Sequence, residues 1–263
     1  MKLVAIDVGN SHTKILMNDK IFILNYDKNF EDELRKILTV TEINSENKII
    51  ISSVNSEKTK EINSVFDELK ISFENVNNYL TVQKIIDFSE ISGIGNDRKL
   101  GIIGATNFAK PPFITVDCGT TITVNVVSQD LKCLGGIIFP GLKTQAKSLK
   151  TWTSQLPQIE INNQIFDSKK NIFSAGKNTV DAITVGILSS TSGGIISFIN
   201  STVEENFLTN VSIIFTGGNG SLMQEICSDY FSKSKNSSIS EITIVPNLVL
   251  EGIKLCGRVD NFC

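Results

Sequence analysis

The stretch "FITVDCGTTITVNVV", Phe113 to Val127, decides the fold. A run of apolar and β-branched residues reaches Asp117-Cys118-Gly119, passes a hydroxyl-rich turn and leaves as a second β-branched run, so it reads as strand, glycine turn, strand. The opening residues "LVAIDVGNSHTKILM", Leu3 to Met17, read the same way, and a shift of 110 positions lays Asp7 on Asp117, Gly9 on Gly119 and Thr13 on Thr123. Glycine at such a tip lets the backbone approach a ligand closely. Successive amide N–H groups there form an anion nest, and flanking Ser and Thr hydroxyls add donors. The carboxylate that ends the first strand repels a phosphate, but it can hold a cation, or a cation's water shell, that neutralises one. One such turn is a common hairpin. Two at equivalent places predict opposed nests gripping a polyphosphate from both sides.

Outward from these turns, strands alternate with helices. After a third strand near Lys20–Leu24, "NFEDELRKILTV" sets Phe30, Leu34, Ile37 and Leu38 at helical spacing with acids in the first turn. "KIIISSV", Lys48 to Val54, is a buried-strand run, and "SEKTKEINSVFDELK" predicts a helix capped by Ser56. "AKPPF", Ala109 to Phe113, stops a helix over Arg98–Phe108 and marks a domain boundary, giving domains 1–110 and 111–263. The second half continues through "LGGIIFPGL", a helix over Lys143–Thr151, and a helical "NTVDAITVGILSSTSGGIISFI" that Gly193-Gly194 would loosen. "VSIIFTGGNG" is a strand entering a glycine turn, and "PNLVLEGIKLCG" is a closing helix. The class is α/β with mixed sheets.

Bulk properties exclude several functions. The 263 residues are 41% hydrophobic and 20% charged, with a formal charge of −3 and no lysine run longer than Lys169–Lys170, so no basic field invites nucleic acid. The five cysteines (Cys118, Cys133, Cys227, Cys256, Cys263) contain no C-x-x-C pair and sit in a chain with one histidine, which disfavours zinc and a disulfide framework. No secretory apolar segment follows Met1-Lys2, and no apolar run approaches the ~18 residues of a membrane helix. A cytoplasmic protein with no membrane partner is expected.

Two phosphate turns with a late strand-Gly-Gly turn, Thr216-Gly217-Gly218-Asn219-Gly220, resemble the actin-like ATPase superfamily of sugar kinases and Hsp70 over the whole chain. That resemblance implies two ribonuclease H-like domains, mixed sheets flanked by helices, clasping ATP. "FSEISGIGNDRKLGIIGA", Phe88 to Ala105, then narrows the choice, because it opens a helix with Gly95-x-Asp97-Arg98. With "DVGNS", "DCGTT", "GGIIFPGL", "GKNTVDAITVG" and "PNLVLEGI" in order, the chain is similar to type III pantothenate kinases. These phosphorylate pantothenate from ATP in the first step of coenzyme A synthesis.

The resemblance implies roles residue by residue. Asp7, Val8, Gly9, Asn10, Ser11, His12, Thr13 and Lys14 match the first phosphate turn, with His12 at its rim, and Thr120 matches an ATP contact. Gly95, Asn96, Asp97 and Arg98 match the substrate motif, with Asp97 as catalytic base. Asp117 matches the ligand of a monovalent cation (K⁺ or NH₄⁺), and Mg²⁺ is implied beside ATP. Thr179 matches a pantothenate contact supplied across a homodimer interface. The chemistry is coherent by itself: phosphoryl transfer to an alcohol needs positioning, charge neutralisation and an acceptor for the hydroxyl proton, which Asp97 offers. Arg98 suits the pantothenate carboxylate as a guanidinium fork.

Two positions depart from the family's pattern: Asn125 replaces a common aspartate, and Phe88 replaces a common tyrosine whose phenol would bond substrate. Trp152 and Pro157 read as packing around a loop, and Cys118 as a buried small residue. The alternative function is a kinase-like protein that has drifted from catalysis into transcriptional regulation; the retained Asp97 and Arg98 weigh against it. A partner-binding actin-like ATPase is disfavoured by the short length and the lack of a long insertion.

Overall fold

The computed structural model describes residues 2–44, 46–161, 174–234 and 237–258. In chain order the elements are β1 (Leu3–Val8), β2 (His12–Met17), β3 (Lys20–Asn25), α1 (Phe30–Val40), β4 (Lys48–Ser53), α2 (Ser56–Glu68), β5 (Glu74–Asn75), α3 (Asn77–Leu80) and α4 (Asn96–Ala105). There follow β6 (Phe113–Cys118), β7 (Thr121–Val127), β8 (Cys133–Pro140), α5 (Leu142–Trp152), α6 (Thr179–Glu205), β9 (Val211–Thr216), α7 (Gly220–Ser234), β10 (Ile239–Ile244) and α8 (Leu248–Arg258).

The elements gather into two compact units, Met1–Asn107 joined by the segment from Asn247, and Phe108–Pro246. The first boundary falls just before the AKPPF stretch, whose Pro111–Pro112 peptide is cis. The far boundary corrects the sequence reading of 111–263, because α8 belongs to the first unit. The reason is steric. A Cβ on Gly252 would lie 2.6 Å from the Leu100 carbonyl carbon of α4, and one on Gly104 would lie 2.9 Å from Gly252 N. Only glycines let α4 and α8 approach this closely.

Both sheets follow one wiring. The first runs β3-β2-β1-β4-β5 and the second, read in the same sense, β8-β7-β6-β9-β10. In each, the hairpin strands pair antiparallel and the later two join in parallel. In the first unit one sheet face (Val4, Ile6, Val8, Ile15, Ile49, Ile51) packs with α1 through Phe30, Leu34 and Leu38 and with α2 through Ile62, Val65 and Phe66. The cap of α2 is Asn55, whose Oδ1 accepts from Lys58 N at 3.1 Å, and not Ser56. Ser56 is already the first helical residue.

In the second unit Ile114, Val116, Cys118, Ile122 and Val124 form the core with α6 and α7. Helix α6 corrects a second expectation. Its 27 residues are long and apolar enough, by length and composition, to cross a membrane. Small and hydroxyl residues interrupt the apolar ones, which hid the run from a residue-by-residue reading. Ile183, Ile187, Leu188, Ile195 and Ile199 bury one side of it in the unit's core, so it serves as a core helix. Gly193-Gly194 pass through it without a break.

Candidate active site

The first turn joins β1 to β2. Val8 pairs with Thr13, enclosing Gly9–His12, and Gly9 N donates to His12 O at 3.1 Å. Asn10, Ser11 and His12 are exposed at the tip, while Asp7 and Lys14 stand half-buried and opposite each other in register. Val8 and Thr13 are fully buried, so of the predicted contacts these two offer a ligand only their backbone. The Thr13 hydroxyl lies 3.0 Å from Tyr26 Oη, which in turn donates to Gly9 O at 2.8 Å. Burial pushes the Tyr26 phenol up, the Thr13 bond opposes this, and the Asp7 and Glu61 charges reinforce it.

The second turn, between β6 and β7, is one residue tighter, with Cys118 paired to Ile122. Gly119 N donates to Thr121 O at 3.0 Å. The Thr120 carbonyl accepts from Gly141 N at 2.9 Å and from Thr144 Oγ1 at 2.6 Å, which leaves the exposed Thr120 side chain outside. The late glycine turn closes against the same place, since Asn219 N donates to Cys118 O at 3.0 Å. Gly217 has a φ of +86°, and a Cβ there would collide with Asp117 Oδ1 and lie 2.7 Å from the Cys118 carbonyl carbon. A Cβ on Gly141 would lie 2.7 Å from Thr120 O. Glycine at 217 thus leaves a cradle beside the half-buried Asp117 carboxylate, and glycine at 141 lets the chain approach the Gly119–Thr120 backbone of the turn. Cys118 is buried as anticipated, and burial followed by the Asp117 charge raises its thiol well above the ordinary value.

The Gly95-x-Asp97-Arg98 motif starts α4. Gly95 caps it in extended conformation, and a Cβ there would lie 2.7 Å from Asp97 Oδ1, so glycine leaves the carboxylate its place. That oxygen accepts from Arg98 N at 2.8 Å, which satisfies one free amide of the first turn and holds the side chain at the helix end. Asn96 Nδ2 donates to Asn77 Oδ1 at 2.7 Å. The half-buried Phe88 ring lies 5.6 Å from the Lys99 ammonium. The motif and the first turn lie in the first unit, while Thr120, Asp117 and Thr179 lie in the second.

Thr179 is the exposed first residue of α6. Asn178 caps it, accepting from Asp181 N at 2.9 Å and donating to Asp181 Oδ2 at 2.7 Å. Thr179 lines a cavity of about 720 Å³ with Gln145, Leu149, Leu156, Ile183 and Ile187. Trp152 does not pack around a loop as expected; its side chain is 84% exposed. Asn125 is buried and donates to Thr115 Oγ1 at 3.2 Å, a neutral pairing inside the sheet. Cys263 lies outside the described residues. Sequence reasoning missed Tyr26, Asn77, Thr144 and the role of Gly141. Tyr26 carried a faint signal, an aromatic just past the end of the third strand. The others become visible only when distant segments meet.

The family model described as Type III pantothenate kinase matches residues 3–201. The Type III pantothenate kinase of Sulfurihydrogenibium sp. (strain YO3AOP1) is 32% identical over 244 residues, 85% of this chain and 90% of that protein. Among solved structures, a Campylobacter jejuni protein described as a Baf family transcriptional activator superposes with a TM-score of 0.61 at 21% identity, covering 99% of this chain and 100% of its own. The activator of the 2-hydroxyisocaproyl-CoA dehydratase from Clostridium difficile, solved with bound ADPNP, does so with a TM-score of 0.50 at 11% identity, covering 100% and 98%. At such identities the structural likenesses establish the fold alone. It is the α/β fold of actin-like ATPases.

Proposed function

The chain belongs to the type III pantothenate kinase family, and from that premise we infer that it transfers the γ-phosphoryl group of ATP to the primary hydroxyl of pantothenate, opening coenzyme A synthesis. The match over residues 3–201 carries this reading, because it spans both Asp-x-Gly turns and the Gly95-x-Asp97-Arg98 helix start together. In the transfer, the hydroxyl oxygen bonds to γ-phosphorus, the bond to the β-phosphate oxygen breaks, ADP leaves, and the hydroxyl proton passes to an acceptor. We assign that acceptor to Asp97. The support is its fixed position on the first turn of α4, beside Arg98, whose guanidinium suits the substrate carboxylate. Gly95, Asn96 and Phe88 complete the proposed substrate side.

For ATP we assign Asp7 to Lys14, chiefly through the exposed Asn10–His12 tip, and Thr120 on the second turn. The Asp117 carboxylate, in the cradle that a Cβ on Gly217 would fill, fits a monovalent cation such as K⁺ or NH₄⁺. Asp7 fits the water shell of Mg²⁺. Among the described residues no group of three or more His, Cys, Asp or Glu converges, so either cation would take further ligands from phosphate, backbone and water. When bound, the cations supply charge neutralisation at the phosphoryl oxygens. Thr179 is assigned to the pantothenate site of a second copy in a homodimer, and the cytoplasm to the protein's location. Purified protein with pantothenate, ATP, Mg²⁺ and K⁺, NH₄⁺ or Na⁺ should form phosphopantothenate with at least one salt. Folded protein that makes none with any salt overturns the reading.

A further inference from the structure

We propose that Tyr26 is a positioning residue for the nucleotide: its phenol braces the first phosphate turn so that the turn meets ATP already shaped. The proposal rests on the reading of Asp7–Lys14 as the ATP phosphate turn. A phenol has one proton, and the Tyr26 hydroxyl donates it to Gly9 O at 2.8 Å. The bond with Thr13 Oγ1, 3.0 Å long, must then run from threonine to tyrosine. One side chain thereby ties the tip glycine to the first residues of β2. Gly9 N is held too, by His12 O at 3.1 Å.

The consequence follows from peptide planarity. In a trans peptide the carbonyl of one residue and the N–H of the next point in opposite directions. Turning the Gly9 carbonyl inward onto Tyr26 therefore aims the Asn10 N–H outward, at the exposed tip where a phosphate would lie. A donor oriented before the ligand arrives costs no reorganisation on binding. The ring is fixed in turn. Tyr26 meets Phe30 edge-on at 5.5 Å, and the Lys58 ammonium stands 5.3 Å from the Tyr26 centroid and 4.9 Å from that of Phe30. Both Glu61 oxygens accept from Lys58 at 2.8 Å. Burial keeps the phenol protonated and able to donate.

Tyr26→Phe deletes both hydrogen bonds while keeping the ring among Phe30 and Lys58. The KM for ATP and the Kd for ADP should each rise about tenfold, the worth of roughly one well-placed hydrogen bond. The KM for pantothenate should stay within about twofold, since that effect belongs to another element. Thr13→Val, which spares the Tyr26–Gly9 bond, should move ATP less than Tyr26→Phe and supplies the measurement should the latter fail to fold. An unchanged ATP KM in Tyr26→Phe, or equal losses for both substrates, overturns the proposal. In a Thr13→Val-only experiment, an ATP KM that rises tenfold or more overturns it, because the Tyr26–Gly9 bond is intact there. Wild-type protein that binds no ADP refutes the phosphate-turn reading instead, so the two failures are distinguishable.

Discussion

At Asp97 the geometry separates the role the carboxylate is seen to play from the one proposed for it. One oxygen accepts from Arg98 N and so stabilises the start of α4; the charge is what the proposed proton acceptor needs. Asparagine preserves the first role through its amide oxygen and removes the second. Asp97→Asn should therefore leave the denaturation midpoint and ADP affinity unchanged while kcat falls about 10²- to 10⁴-fold, the usual contribution of a general base. A variant with full turnover would move the base elsewhere. Ser52 presents the reverse case. It pairs with Asp7 across β1 and β4, is 1% exposed, and its hydroxyl has no hydrogen-bond partner among the described residues. An orphaned buried hydroxyl costs about 1–3 kcal/mol. Ser52→Ala should raise stability by about 1 kcal/mol in urea denaturation, and a loss of stability would reveal a hidden partner.

Among the elements, the strands that carry the candidate site were legible because their side chains are β-branched and their turns glycine-tipped, local features that need no distant partner. The same locality explains one error. Aligning Thr13 with Thr123 by sequence ignores that the first turn holds one residue more, Val8 pairing with Thr13 but Cys118 with Ile122. One residue reverses the face of a strand. Thr13 thus points into the core toward Tyr26, and Lys14, opposite Asp7, occupies the place that Thr123 holds opposite Asp117. Neither β5, only two residues long, nor β10, with its Ser240-Glu241 interruption, offered a periodic pattern to read. The α4–α8 crossing was equally hidden, because two glycines 148 positions apart reveal their purpose only on meeting. Gly252→Ala forces a methyl onto the Leu100 backbone, which cannot yield as a side chain can. It should cost about 1–3 kcal/mol. Gly101, also on α4, has nothing within 4 Å of its would-be Cβ, and Gly101→Ala should instead stabilise by up to about 1 kcal/mol. Equal effects from the two, measured by thermal unfolding, would refute the close-packing account of why α8 joins the first unit.

For the whole molecule, the duplication extends beyond the turns. One strand order serves both units, each carrying an Asp-x-Gly sequence at the end of its central strand, and in the second Gly217 packs beside that carboxylate while Gly141 packs on the turn backbone. Sequence alone exposed the duplication but not which unit owns the final helix, since chain order is no guide to packing when a segment crosses back. Nor does it tell which copy of the chain each site residue serves. Asp97 belongs to the first unit and Thr179, by the assignment above, to the site of a second copy. Such division has a consequence that a self-contained site lacks. Asp97→Asn removes the proposed base from its own site, and Thr179→Arg removes the pantothenate contact from its partner's. In a mixed dimer one site then carries both defects and the other carries neither. Random exchange makes half the dimers mixed, each with one repaired site of two, so combining two nearly inactive proteins should restore about a quarter of wild-type kcat per site. Light scattering on the same samples should give a dimer of the 28.9 kDa chain. If Thr179 instead serves its own chain, every site in every mixture carries one defect, and activity stays at the average of the two variants.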